Sequence, residues 1–126
     1  MSTPLDLIVA WHDAVRDRDL EAVAGLVHSD VEVGGPKGSG HGVDLIREWV
    51  QTSGIGLEIE SFLQRGLTFV VGQEATWPDP DAAGGRTQPV AVASVFVVQG
   101  ARISKILRFD EAEAALEAAG FRSTPN

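Results

Sequence analysis

Apolar residues recur at three- and four-residue spacings near the start of the chain. Over residues 4–16 this spacing predicts an amphipathic helix, with Thr3 as its N-cap and Pro4 at its first position. Its apolar stripe is formed by Leu7, Ile8, Trp11, Ala14 and Val15. The spacing resumes after Asp19, which predicts a second, shorter helix.

The rest of the chain changes from glycine-rich bends to strand patterns. A strand at residues 30–33 is expected to lead through a bend to Gly42, where a third helix begins and runs to Gly54. Further strands are predicted for residues 57–64, 67–77, 90–98 and 102–109, followed by a closing helix that Gly120 ends. Local helices beside a mostly antiparallel sheet indicate an α+β fold.

Length and composition narrow the classes of protein. We expect one domain over residues 1–126. A formal net charge of −8 argues against nucleic acid and anionic membrane surfaces as partners, because both require basic patches. The chain has no cysteine, its N-terminus lacks a basic signal-peptide region, and its longest apolar run, residues 90–98, is too short to span a membrane. A cytoplasmic location is therefore expected.

Short motifs at fixed spacing in the first half of the chain carry a family resemblance. They are Asp19-x-Glu21-Ala22, Val31-Glu32, His41-Gly42 and Ile46. With two helices before the first strand and long strands after it, the chain resembles the NTF2-like superfamily, also called SnoaL-like or ketosteroid-isomerase-like. The resemblance implies a cone, in which a curved, mostly antiparallel sheet carries helices on its concave face and encloses a pocket.

The resemblance allows the steroid isomerase activity to be checked by position. Those isomerases use a tyrosine and an acid as an oxyanion hole and a separate aspartate to move the proton. Trp11 falls at the tyrosine position, Val33 at the proton-moving aspartate and, in a gapless comparison, Ala93 at the second acid. Valine cannot accept a proton and alanine cannot donate a hydrogen bond, so we expect no steroid isomerase activity.

The same resemblance implies which side chains face the pocket. If Val33 and Ala93 point inward, alternation along the strands also turns Ile106 and Arg108 inward. The predicted ligand-binding residues are Trp11, Val33, Phe69, Gln73, Trp77, Ala93, Ile106 and Arg108. Apolar walls with one cation are typical of a small-molecule site, in which Arg108 would hold an anionic or carbonyl group. Alternatively, Arg108 extends to the rim or pairs with Asp110.

Histidines supply the remaining candidate chemistry. His41 precedes the third helix and is the candidate general base, although a capping or bracing role is the simpler interpretation. His12, His28 and His41 lack the spacing of a zinc-binding helix, so we predict no metal site and no cofactor.

Alternation also predicts an apolar outer sheet face. Its members would be Val92, Phe96, Val98, Ile103 and Leu107, together with neighbouring apolar residues. Such a patch should be covered, and a second copy packed sheet to sheet is the expected cover. The alternative cover is the terminal helix, residues 112–119.

Two functions of different classes follow. The first is binding of a small apolar, carbonyl or anionic ligand, with a SnoaL-like cyclase or isomerase-type reaction as its catalytic form. The second is a non-catalytic dimeric interaction module whose pocket is filled by its own side chains.

Overall fold

A computed structural model describes residues 3–35 and 38–121 of the chain. Within them, the elements follow the order α1 (Pro4–Arg16), α2 (Leu20–Gly25), β1 (Val27–Gly35), β2 (Gly38–His41), α3 (Val43–Ser53), β3 (Gly56–Arg65), β4 (Thr68–Thr76), β5 (Val90–Gln99), β6 (Arg102–Phe109) and α4 (Ala112–Ala118). The predicted helices and long strands are confirmed. The first strand is longer than predicted, and part of the predicted bend forms β2, while residues 36–37 lie outside the described residues.

Local side-chain chemistry sets where the first two helices begin. Thr3 and Asp6 form a capping box, in which the Thr3 hydroxyl accepts from the Asp6 amide and the Asp6 carboxylate accepts from the Thr3 amide. The Asp19 carboxylate accepts from the Ala22 amide at the start of α2. Each interaction pairs a backbone N–H that has no partner within its own helix.

The six strands form one curved, open sheet in the order β2-β1-β6-β5-β4-β3. Neighbouring strands are antiparallel except β1 and β6, which run parallel and place Val33 opposite Ile106. The predicted α+β fold with a mostly antiparallel sheet is therefore confirmed. Among the described helices, none is long and apolar enough to cross a membrane.

The main core lies between the sheet and the first three helices. Trp11, Phe69 and Phe96 are its largest fully buried side chains. The ring of Trp11 meets that of Phe96 edge to face, with centroids 5.2 Å apart. Such aromatic packing adds to the hydrophobic stabilisation of the core and fixes α1 against the middle of the sheet.

The opposite sheet face is covered by α4. Ala115 is fully buried there against Val70, Ala93 and Val95. The terminal helix is thus the cover that the sequence offered as the alternative to a second copy. Val97, Leu107 and Phe109 pack against the same cluster and remain partly exposed.

The predicted orientation of β5 is wrong. Val92, Phe96 and Val98 belong to the main core, and so does Ile103 on β6, whereas Leu107 packs in the α4 cluster. Four of the five residues proposed as a dimer surface are therefore buried within the chain. The error has a physical cause: both faces of β5 are apolar and covered, so alternation of residue type does not distinguish them.

Candidate functional site

A cavity of about 520 Å³ opens between α1, α3 and the sheet. It is lined by Trp11, Val33, Gly34, Gly35, Gly38, Ser39, Gly40, Leu45, Trp49, Leu57, Ser94, Ile106 and Arg108. The volume lies within the range of small-molecule sites, which are concave and largely apolar.

Aromatic side chains from two helices form one wall of the cavity. Trp11 on α1 and Trp49 on α3 are nearly parallel, with ring centroids 6.3 Å apart and planes 12° apart. Leu45 lies one helical turn before Trp49, so α3 presents two apolar side chains to the cavity. Trp11 is fully buried, and this packing holds the wall in one conformation.

Glycines of β1 and β2 form another part of the cavity wall. A Cβ atom added at Gly34 would lie 2.6 Å from the Cβ of Ser39, and one added at Gly40 would lie 2.8 Å from Cδ2 of Leu45. These contacts are too short for any larger residue without a shift of the neighbour. The glycines therefore let the β1–β2 hairpin close tightly while leaving room in the cavity.

Arg108 on β6 supplies the charged group of the described wall. Its Nη1 donates to Oδ1 of Asp110 at 3.2 Å, and its Cζ lies 6.0 Å from the centroid of the Trp77 ring. The Arg108 side chain is 23% exposed and that of Asp110 is 72% exposed. An ion pair with so exposed a carboxylate contributes little stability, so a ligand anion can compete with Asp110.

Trp11 brings a second hydrogen-bond donor to this region. Its indole Nε1 is buried, and within the described residues it has no acceptor. A buried donor without a partner costs roughly 1–3 kcal/mol. The Trp11 indole therefore carries an unsatisfied donor beneath the aromatic wall.

Behind the wall, three buried polar side chains form a hydrogen-bonded chain. The Oγ of Ser94 donates to Oε1 of Gln73 at 2.7 Å, and Nε2 of Gln73 lies 2.8 Å from Nε2 of His12. Nδ1 of His12 lies 2.7 Å from the carbonyl oxygen of Ile8. Burial lowers the pKa of His12 to about 4, against smaller raising effects of the Ile8 carbonyl and of Asp13, so the imidazole is neutral at neutral pH.

The hydrogen bonds between His12, Gln73 and Ser94 cannot activate Ser94 as a nucleophile. The proton of the hydroxyl points to an amide oxygen, which is too weak a base to remove it. Gln73 also separates the hydroxyl from the imidazole. The chain therefore orients the Ser94 hydroxyl at the cavity surface.

The structure brings together only part of the predicted binding set. Trp11, Val33, Ile106 and Arg108 line the cavity. Phe69 is buried in the main core, Gln73 lies behind Ser94, and Trp77 contacts the site through Arg108.

Two of the predicted site residues are misplaced. Ala93 packs against α4 on the outer face, so the gapless correspondence fails by one residue and Ser94 is the neighbour that faces the cavity. His41 is exposed at the end of β2 and does not belong to the cavity wall, which argues against its role as a general base there.

The sequence prediction missed Ser94 and the role of His12. His12 is 4% exposed, and its ring pairs with Gln73 and with the Ile8 carbonyl oxygen. Within residues 3–35 and 38–121, no group of three or more His, Asp and Glu side chains is arranged to hold a metal ion.

Comparison with known proteins places these features in a family context. A family model described as a SnoaL-like domain matches residues 8–106. A comparison with curated protein sequences finds no significant match.

Many solved structures share the fold. An NTF2-like protein of unknown function from Cytophaga hutchinsonii is 11% identical and has a TM-score of 0.75, with 90% of this chain and 95% of that chain covered. TerC, co-crystallised with polyporic acid, is 20% identical with a TM-score of 0.74, covering 94% and 99% of the two chains. SalBIII, described as an epoxide hydrolase/cyclase-like enzyme, is 16% identical with a TM-score of 0.71, covering 84% and 88%. At these identities the likeness shows the fold alone.

Proposed function

The chain belongs to the SnoaL-like domain family, and we propose that its cavity binds a small, mostly apolar molecule whose anionic or carbonyl oxygen is held by Arg108. The observation that carries the proposal is the open cavity itself, with aromatic walls and a guanidinium at its surface. A core filled by its own side chains would have neither an open cavity nor a guanidinium at its surface.

Arg108 retains donors for a ligand. A guanidinium has five N–H groups, and the pair with Asp110 engages Nη1, which leaves Nε and Nη2 able to donate. A carboxylate accepts two such bonds in parallel, and a carbonyl oxygen accepts one or two.

The chemistry of the described wall favours binding over proton transfer. Arg108 is its charged group, and a guanidinium offers hydrogen-bond donors but no acceptor. It orients an oxygen and stabilises negative charge. A cyclase or isomerase-type reaction of the SnoaL-like kind would use Arg108 in this electrostatic role.

The alternative function, a dimeric module with a filled pocket, is less well supported. A cavity of about 520 Å³ is the opposite of a filled pocket. Most residues of the surface predicted to pair two copies belong to the core of one copy, so the apolar patch that suggested a dimeric module no longer supports this function.

Calorimetric titration with 2-naphthylacetate and with its uncharged amide tests the proposal. The naphthyl ring matches the aromatic wall, and the carboxylate should bind more tightly than the amide because Arg108 carries the charge. Arg108→Gln should weaken carboxylate binding about tenfold or more, in line with a charge-assisted hydrogen bond of roughly 1.5–3 kcal/mol.

Arg102→Gln is the matched control, because Arg102 is an exposed cation at the other end of β6. This variant should bind like the wild type. Equal loss in both variants would indicate a general charge effect, and equal binding by wild type and Arg108→Gln would rule out the assigned role of Arg108.

A further inference from the structure

The hydrogen-bonded chain behind the cavity has a fixed direction. The Ile8 carbonyl oxygen can only accept, so Nδ1 of His12 carries the proton of the neutral imidazole. Nε2 of the same ring then holds a lone pair and can only accept. The tautomer of His12 is thus set by the backbone of α1.

That lone pair sets the orientation of the next side chain. Gln73 approaches Nε2 of His12 at 2.8 Å, and only its amide nitrogen can donate there. Its oxygen Oε1 must therefore face Ser94, whose Oγ lies 2.7 Å away. Since an amide oxygen only accepts, the one proton of the Ser94 hydroxyl is committed to Gln73.

Ser94 consequently meets the cavity as a hydrogen-bond acceptor. Its Oγ keeps its lone pairs and has no further proton to give. His12, Gln73 and Ser94 are each at most 4% exposed, so water does not readily replace the hydrogen bonds between them. In an apolar wall, an oxygen with this fixed polarity is a specificity element.

The acceptor lies beside a donor of opposite character. Ser94 and Arg108 are direct partners in the antiparallel register of β5 and β6, and both line the cavity. Side chains of such partners begin about 4.5–5.5 Å apart at their Cβ atoms. The wall therefore offers an acceptor and a cationic donor within the reach of one small functional group.

We propose that Ser94 and Arg108 together select a ligand that carries a hydroxyl group next to a carboxylate or carbonyl oxygen. The hydroxyl donates to Ser94, and the neighbouring oxygen accepts from Arg108. Gln73 and His12 act as positioning residues that hold Ser94 in its accepting state. This inference rests on the proposed function, because it names the ligand class of the same cavity.

Three matched probes separate donor from acceptor. They are 2-naphthylacetate, its α-hydroxy derivative and its α-methoxy derivative, and their affinities are measured by calorimetry. The wild type should bind the α-hydroxy compound about three- to tenfold more tightly than the parent, since one net hydrogen bond is gained. The α-methoxy compound, which offers only an acceptor, should bind no more tightly than the parent.

Variants locate the effect. Ser94→Ala should abolish the preference for the hydroxyl, so that this variant binds the α-hydroxy compound and the parent with equal affinity, and Ser94→Thr should retain the preference. Gln73→Leu releases the Ser94 proton, so the α-methoxy compound should gain affinity relative to the α-hydroxy compound. A purely structural role of Gln73 would weaken all three probes alike and would refute its positioning role.

The outcomes distinguish this inference from the function on which it rests. If the wild type binds all three probes equally, with affinity that depends on Arg108, the selection by Ser94 is refuted and the binding function stands. If the α-methoxy compound binds as tightly as the α-hydroxy compound, Ser94 is not an acceptor. If none of the probes binds, the proposed function fails, and the inference fails with it.

Discussion

His12 should make the stability of the protein depend on pH between neutrality and about pH 4. The residue is 4% exposed, and burial lowers its pKa from 6.5 to about 4. In the unfolded chain the ring takes up a proton near pH 6.5, whereas the folded chain resists protonation until about pH 4. Between these values the unfolded state binds more protons, so the free energy of unfolding falls as pH falls.

The magnitude follows from the two pKa values. Lowering the pH from 7 to 5 should remove about 2 kcal/mol of stability through this one residue, and the full shift corresponds to roughly 3 kcal/mol. This is a large share of the stability of a small domain, which is typically about 5–15 kcal/mol. The loss should level off below about pH 4, where the folded state also binds the proton.

Urea unfolding at several pH values measures this dependence, and His12→Asn removes the titrating ring. The variant should be less stable than the wild type at pH 7 but should lose about 2 kcal/mol less between pH 7 and 5. His41→Asn is the control for a histidine substitution at an exposed position, because it leaves the buried ring of His12 in place. An NMR titration in which the His12 ring protonates near pH 6.5 would refute the reasoning, and so would equal pH slopes in wild type and His12→Asn.

Two further predictions test how the walls of the fold are built. Gly34→Ala should lower the free energy of unfolding by about 1–3 kcal/mol, because the added Cβ would lie 2.6 Å from the Cβ of Ser39. The control Gly25→Ala, whose Cβ would have nothing within 4 Å, should be neutral or slightly stabilising. Chemical denaturation measures both variants, and equal effects would show that the hairpin shifts to accommodate the added methyl group. Ala115→Asp should lower the free energy of unfolding by at least about 2 kcal/mol, because it places a carboxylate in the buried contact of α4 with the sheet. Ala114→Asp, on the exposed side of the same helix, should change the free energy of unfolding by no more than about 0.5 kcal/mol. A thermal melt in which both variants behave alike would show that α4 does not pack on the sheet as described.

Local signals in the sequence sufficed for the elements of the fold. Thr3 and Asp19 cap their helices as expected, and Gly54 ends α3 in the left-handed conformation, which glycine adopts without steric cost. These features depend on a few neighbouring residues, and the sequence shows all of them. The family resemblance then supplied the arrangement of the sheet, which local patterns alone do not determine.

The orientation of β5 could not be predicted from alternation. An ordinary antiparallel strand has one polar face, but β5 is covered by the main core on one face and by α4 on the other. Val92 and Val95 are the same residue type and both are buried, although they point to opposite faces of the sheet. Side chains of β5 alternate between the two faces of the sheet, but the sequence does not show this alternation because the residues on both faces are apolar.

A different signal in the same sequence would have given the correct orientation. Ser94 is the polar residue of the apolar stretch 90–98 in β5, Gln73 follows an apolar stretch of β4, and buried polar groups are almost always paired. If β5 were turned by one residue, Ser94 would face α4 and Oε1 of Gln73 would lose its donor, at a cost of roughly 1–3 kcal/mol. Pairing Ser94 with Gln73 places both on the cavity side, and with them Phe96 and the neighbouring Arg108. The pairing of these two polar residues, and not the apolar pattern, therefore determines both the orientation of β5 and the polarity of the cavity wall.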